Sequence, residues 1–158
     1  MGKKVAILMG SKSDIPVAEK AEEILREFGV EFDTLVISAH RNPNKIRKFA
    51  LSAESKNYGV IIAIAGLAAH LPGVIASMTV LPVIGVPVET GPLNGQDALY
   101  SIAQMPPGIP VASMGIGNSR NAALFAVQVL SNGDSDLLKK MKDYRRQFGD
   151  DESCESSS

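Results

Sequence analysis

Short apolar, β-branched runs separated by amphipathic stretches set the rhythm of this chain. Lys4 to Met9 is the first run and stops at Gly10, after which Asp14 and Pro16 mark a helix start. From Val17 the apolar positions Val17, Ala18, Ala21, Ile24, Leu25 and Phe28 recur at helical spacing, with Glu19, Lys20, Glu22, Glu23 and Arg26 on the other face. Gly29 ends that helix. The pattern repeats as a strand over Phe32 to Ile37, a loop from Ser38 to Pro43, and a helix carrying Ile46, Phe49, Ala50 and Ala53 on one side. A third strand, Val60 to Ala65, follows Gly59. Further strands are predicted over Pro82 to Val86 and Ile109 to Met114, with a short helix, Gln96 to Gln104, between them. Asn118 or Ser119 caps a long apolar helix running to Leu130, and Asp136 to Phe148 reads as a terminal amphipathic helix.

Strands that alternate with helices through short loops need crossover connections, which points to an open, mostly parallel sheet covered on both faces. The expected fold is therefore three-layer α/β with a flavodoxin-like (Rossmann-like) strand order and a C-terminal helix. It forms one domain over residues 1–149, and the polar segment 150–158 is a disordered tail.

Val60 to Val88 holds no Asp, Glu, Lys or Arg, so a membrane span has to be weighed. Gly66, Pro72, Gly73, Pro82, Gly85 and Pro87 interrupt it too often, and buried strands around a buried helix account for it better. Two uncharged stretches, Leu71 to Thr79 and Ala98 to Ser119, carry more apolar chain than one domain of this size hides alone. Burial against further copies of the chain, a homo-oligomer, is the expectation.

At 158 residues and 45% hydrophobic the chain can build one core without disulfides or metal. Its formal charge of −1 gives no long-range field for nucleic acid or an acidic membrane surface, so neither is an expected partner and a phosphate must be caught locally. Lys3 and Lys4 precede only the run Val5 to Met9, too short for a secretory signal, and the start lacks the hydroxyl residue of a myristoylation signal. The protein is expected in the cytoplasm. Cys154, the only cysteine, lies in the polar tail as a bystander thiol.

In open parallel sheets ligands bind beyond the carboxyl ends of the strands, which directs attention to the loops after the first three. Gly10-Ser11-Lys12-Ser13-Asp14 combines a glycine, two hydroxyls and a following helix N-terminus, a combination suited to phosphate or ribose and equally to a capped turn. It matches neither the dinucleotide fingerprint nor the phosphate-loop pattern. Ser38-Ala39-His40-Arg41-Asn42-Pro43 puts one of two histidines beside an arginine whose planar fork fits phosphate oxygens, in a loop fixed by proline. Ala65-Gly66-Leu67-Ala68-Ala69-His70-Leu71-Pro72-Gly73 sets His70 among small and apolar residues, where a structural role and a ligand-facing one are equally open. The later loops offer Glu89, Asn94, Asp97 and Gln104 as polar candidates.

Together with Ser101-Ile102-Ala103-Gln104-Met105-Pro106, these loops resemble, in order and spacing over roughly residues 4 to 130, the 5-(carboxyamino)imidazole ribonucleotide mutases of purine biosynthesis. The resemblance implies a catalytic His40, phosphate held by Arg41, and phosphate and ribose held by Ser11, Ser13 and Asp14. Ser38, Gly66, Ala69, His70 and Leu71 complete the implied substrate site. The implied reaction moves a carboxylate from the exocyclic nitrogen of an aminoimidazole ribonucleotide to a ring carbon, by decarboxylation and recapture of CO2. It needs no metal, nucleotide or organic cofactor, and the family is octameric. One imidazole can serve both proton transfers, and recapture calls for the closed, apolar surround that Ala68, Ala69 and Leu71 would make.

The related branch that carboxylates aminoimidazole ribonucleotide with free CO2 tends to carry lysine in place of Arg41 and to lack His70-Leu71-Pro72, so this chain follows the mutases on both counts. A non-catalytic nucleotide-binding module is the reading from a different class. The chain departs from the mutase pattern at Ile64 and Leu67, where the family usually has glycine and where side chains are expected to narrow the approach to the base. The segment Gly115 to Asn121 is also shorter than its family counterpart.

Overall fold

A computed structural model describes residues 2–149. Its elements run β1 (Lys4–Met9), α1 (Ile15–Phe28), β2 (Phe32–Val36), α2 (Pro43–Ser52), β3 (Tyr58–Gly66), α3 (His70–Ala76), β4 (Val83–Val88), α4 (Gln96–Ala103), β5 (Ala112–Ser113), α5 (Ser119–Ser131) and α6 (Ser135–Arg146). All strand pairings are parallel and the order is β2-β1-β3-β4-β5, the flavodoxin-like arrangement.

The period of two along the strands sorts residues between two cores. Val5, Ile7 and Met9 of β1, with Val60, Ile62 and Ile64 of β3, pack under α1, α5 and α6. Ala6 and Leu8, with Ile61, Ala63 and Ala65, pack under α2, α3 and α4 on the opposite face. Strands covered on both faces must be apolar throughout, which is why β1, β3 and β4 read as unbroken hydrophobic runs.

The boundaries differ from expectation where single residues change the pairing. Gly59 lies inside β3, at a register shift against β1 between Lys4 and Val5, so the strand starts at Tyr58. β4 continues through Pro87 to Val88, because β5 pairs only with Ile84 and Gly85 and leaves the Pro87 edge with no donor to supply. β5 shrinks to Ala112–Ser113: Pro110 cannot donate, and the Ile109 amide bonds back to the Pro106 carbonyl in a turn. Helix α3 starts at His70 and ends at Ala76, and the Asn118 side chain caps α5 by accepting from the Asn121 amide.

The uncharged stretch Val60 to Val88 thus resolves into β3, α3 and β4, and no helix of the described chain is long and apolar enough to cross a membrane. Leu71, Pro72, Ile75 and Ala76 of α3 are buried within the chain itself, so much of that helix's lack of charge is explained without a partner. Leu51, Val80 and Tyr100 keep large apolar surfaces exposed. The tail 150–158, with Cys154, lies outside the described residues.

Candidate active site

The carboxyl ends of β1, β2 and β3 bring three loops to one side of the molecule. After β1 the chain makes a single 3-10 turn over Lys12–Asp14, whose geometry comes from hydroxyls: Ser11 Oγ accepts from the Ser13 amide at 3.3 Å and from the Ser13 hydroxyl at 2.9 Å. The turn buries Asp14 at the start of α1. Burial pushes its carboxyl above the usual aspartate range, against the opposing pull of the Ser13 hydroxyl and the Ser11 backbone.

After β2, the Ile37 amide reaches the Met9 carbonyl and carries the β1–β2 pairing one residue past the strand. Ser38 then closes a tight turn, its carbonyl accepting from the Asn42 amide at 2.9 Å and its hydroxyl from the Arg41 amide at 3.2 Å. That turn projects His40 and Arg41 into solvent. The Arg41 guanidinium sits 3.4 Å from the Gly10 carbonyl and, with Lys12, Ser11 and Asn42, lines a cup of about 390 Å³.

After β3 the chain turns through two left-handed residues that are not glycine, Leu67 at φ 54° and Ala69 at φ 38°, before α3 begins. This sharp reversal delivers His70 to His40. The His40 Nε2 and His70 Nδ1 atoms lie 2.8 Å apart, with ring centroids 5.0 Å apart in an edge-to-face arrangement at 84°. At that distance one facing nitrogen carries hydrogen and the other a lone pair, so the two rings form one hydrogen-bonded unit. Both are exposed, which removes the reading of His70 as a buried packing residue.

A cavity of about 430 Å³ opens beneath this pair. Ser11, Ser13, Asp14, Ser38, His40, Gly66, Ala69, His70 and Leu71 all line it, so the structure brings together nine of the ten residues expected from the sequence. The tenth, Arg41, lines the adjoining cup, and Gly10, Ser11 and Ser38 border both spaces. Ala68 joins the wall as expected, but Ser13, His40, Leu67, Ala68, His70 and Thr90 are all exposed, so the cavity of the single chain stays open around its rim. Among the described residues no three His, Cys, Asp or Glu side chains are grouped to hold a metal ion.

Ile64 is fully buried on the α1–α5 face of the sheet and does not approach the cavity, so only Leu67 of the two departures lines it. Thr90 lines the cavity and was missed, whereas the expected Glu89, Asn94, Asp97 and Gln104 do not. Thr90 follows β4, which runs beside β3 with Gly66 opposite Val88. A Cβ on Gly66 would stand 2.9 Å from Thr90 Oγ1, so the missing side chain lets the two loops meet. The short segment from Gly115 caps α5 and ties back to β4 through the Gly117 amide and the Pro87 carbonyl.

An open parallel sheet with a polar-rimmed, nucleotide-sized cavity at its carboxyl edge defines an α/β ligand-binding or enzyme domain. Within that class the chain belongs to the AIR carboxylase family, whose model matches residues 4–151. It is 52% identical over 142 residues to the N5-carboxyaminoimidazole ribonucleotide mutase of Pyrococcus abyssi, covering 90% of this chain and 82% of that one. It is 51% identical over 140 residues to the phosphoribosylaminoimidazole carboxylase of Saccharomyces cerevisiae, covering 89% of this chain but 24% of that longer protein. Among solved structures, Treponema denticola PurE superposes with a TM-score of 0.85 at 31% identity, covering 92% of this chain and 91% of that one.

Proposed function

We propose that the protein is an N5-carboxyaminoimidazole ribonucleotide mutase, converting the carboxyamino nucleotide to its ring-carboxylated isomer in purine biosynthesis. The observation that carries the reading is the His40–His70 pair at the mouth of a cavity flanked by the Ser11–Asp14 turn and the Arg41 cup. The nucleotide's phosphate lies against Arg41 and the Ser11 and Ser13 hydroxyls, where a cation and hydroxyl donors meet its charge. Asp14 accepts from the ribose, and Ser38, Gly66, Ala69, His70 and Leu71 enclose the heterocycle.

Two bonds change. The N–C bond to the carboxylate breaks, CO2 is released, and the nitrogen takes a proton. The ring carbon then attacks CO2, a C–C bond forms, and that carbon gives up its proton. His40 supplies the first proton and recovers the second, ending as it began, while His70 holds its ring through the 2.8 Å contact. Ala68, Ala69 and Leu71 present an apolar wall that offers the released CO2 no hydrogen bonds.

The test mixes purified protein with the carboxyamino nucleotide at low bicarbonate, and separately with aminoimidazole ribonucleotide plus bicarbonate. Rapid carboxylated product in the first mixture alone is the expected result. Product in the second alone would assign the carboxylase activity named for the yeast relative, and product in neither would leave a binding module. The protein works in the cytoplasm as a homo-oligomer, an octamer by family resemblance, with Val80 at 88% and Tyr100 at 62% exposure as surface for partner copies. A monomeric mass by light scattering at micromolar concentration would contradict that assembly.

A further inference from the structure

In the mutase reading every group of the substrate meets a polar partner in the site except the carboxylate that moves. The phosphate meets Arg41 and the Ser11 and Ser13 hydroxyls, the ribose meets Asp14, and His40, bonded to His70, carries the protons. One hydroxyl on the cavity wall is left without a role. It belongs to Thr90, two residues past the end of β4.

The topology puts Thr90 where that carboxylate would lie. The cup of Arg41 is built by the loops after β1 and β2, and the strand order β2-β1-β3-β4 sets the end of β4 on the far side of β3 from it. At about 4.8 Å per strand spacing, the loop after β4 stands about 10 Å from the loop after β1 and about 14 Å from the loop after β2. A sugar phosphate anchored in the cup and lying across β1 and β3 therefore points its base, and the carboxyl group beyond the ring, toward β4. The wall there is close-packed. Gly66 pairs opposite Val88, and a Cβ on it would stand 2.9 Å from Thr90 Oγ1 and 3.1 Å from Thr90 Cβ. The Thr90 side chain thus rests on the Gly66 backbone, beside the space given to the heterocycle.

We infer that Thr90 holds the transferring carboxylate, its hydroxyl donating to a carboxylate oxygen in the substrate and again in the product. This rests on the mutase reading. The chemistry calls for a neutral donor at this position, because the transferring group is an anion at both ends of the reaction and neutral CO2 between them. A cation would favour the anionic ends over CO2 and so raise the barrier to decarboxylation. A hydroxyl orients the carboxylate and gives up little when the charge leaves it. Among the described residues, no lysine or arginine lines the cavity; Lys12 and Arg41 both lie in the adjoining cup.

The experiment titrates two nucleotides that differ only in that carboxylate, the ring-carboxylated product and aminoimidazole ribonucleotide, into wild type, Thr90→Val and Thr90→Ser. Thr90→Val keeps the shape of the side chain and removes its hydroxyl, and at an exposed position this leaves no buried group unpaired. It is expected to bind the product about ten- to a hundredfold more weakly, the usual worth of a hydrogen bond to a charged group, and aminoimidazole ribonucleotide within about twofold of wild type. Thr90→Ser should recover most of the lost preference for product. A merely structural role for Thr90 would move both affinities together. Equal weakening toward both nucleotides, or unchanged affinity for both, would overturn the inference while leaving the mutase reading intact. A wild type that binds neither nucleotide would remove the reading and the inference together.

Discussion

The two ends of the same sheet are built on opposite principles. At the amino end, Lys4 Nζ and the Tyr58 hydroxyl both donate to Asp33 Oδ2 at 2.6 Å, tying β1, β2 and β3 together, and the ammonium lies 4.4 Å from the Tyr58 ring centroid. At the carboxyl end of the same three strands, two imidazoles meet in solvent, an aspartate is buried without a cation, and the turn bends through Leu67 and Ala69. Each end has residues at positive φ, but at the amino end the non-glycine one is Asn57, which tolerates that region. Partnered charges mark where the fold is secured. Costly conformations and a buried carboxylate without a counter-charge mark where it holds something ready.

The sharpest way to break this contrast is to remove the proton carrier. His40→Asn should lower kcat by about 10²–10⁴, the usual worth of a positioned acid-base group, while product still binds within a few-fold of wild type. Steady-state turnover with a separate product titration checks this, and a kcat within a few-fold of wild type would remove His40 from the chemistry.

Next come the two carboxylates, whose pH signatures should oppose one another. Burial raises the Asp14 carboxyl above its unfolded value, so its charged form disfavours folding, and stability declines as pH rises from the unfolded to the folded value. Asp14→Asn should therefore raise the melting temperature at neutral pH. Loss of a charged acceptor for the ribose should weaken nucleotide binding by about ten- to a hundredfold. Thermal melts with and without product resolve both effects, and a variant less stable and equally tight would contradict the assignment.

Asp33 should behave in reverse and more weakly. The Lys4 ammonium, and then the Tyr58 hydroxyl, hold its carboxyl below the usual range. Its contribution is complete above about pH 4 and is lost as pH falls through the folded-state value. Because the carboxylate is 44% exposed, the effect is a surface one, and Asp33→Asn should lower the melting temperature by only a few degrees with kcat unchanged. Scans from pH 3 to pH 7 should show that the variant's deficit disappears toward the acid end; a deficit constant with pH would place the effect elsewhere.

The same contrast governs how much could be read before the structure. Apolar periodicity in β1, α1 and β3 is local, so most elements were legible in it and their alternation implied the layers, whereas the flavodoxin-like strand order was an expectation from that alternation that no local pattern encodes. Gly59, Pro87 and Pro110 shifted boundaries because each acts through a partner strand whose register no local pattern encodes. The family resemblance of the loops after β1, β2 and β3 picked out nine of the cavity-lining residues, whereas their chemistry alone left a capped turn at Ser11 to Asp14 and a structural His70 open. Thr90 stayed hidden because its placement depends on Gly66 meeting the loop from β4. Ile64 was misplaced for the reason that protects the fold: along a strand buried on both faces, hydrophobicity does not say which face a residue serves.

The central claim is that one imidazole reaches both the nitrogen that loses carboxylate and the carbon that gains it. A crystal structure with the ring-carboxylated product bound tests this most directly. The expected complex has phosphate against Arg41, ribose against Asp14, and the His40 ring within hydrogen-bond reach of the amino nitrogen and facing the carboxyl-bearing carbon. A complex with His40 turned away and the heterocycle outside the cavity walled by Ala69 and Leu71 would contradict it.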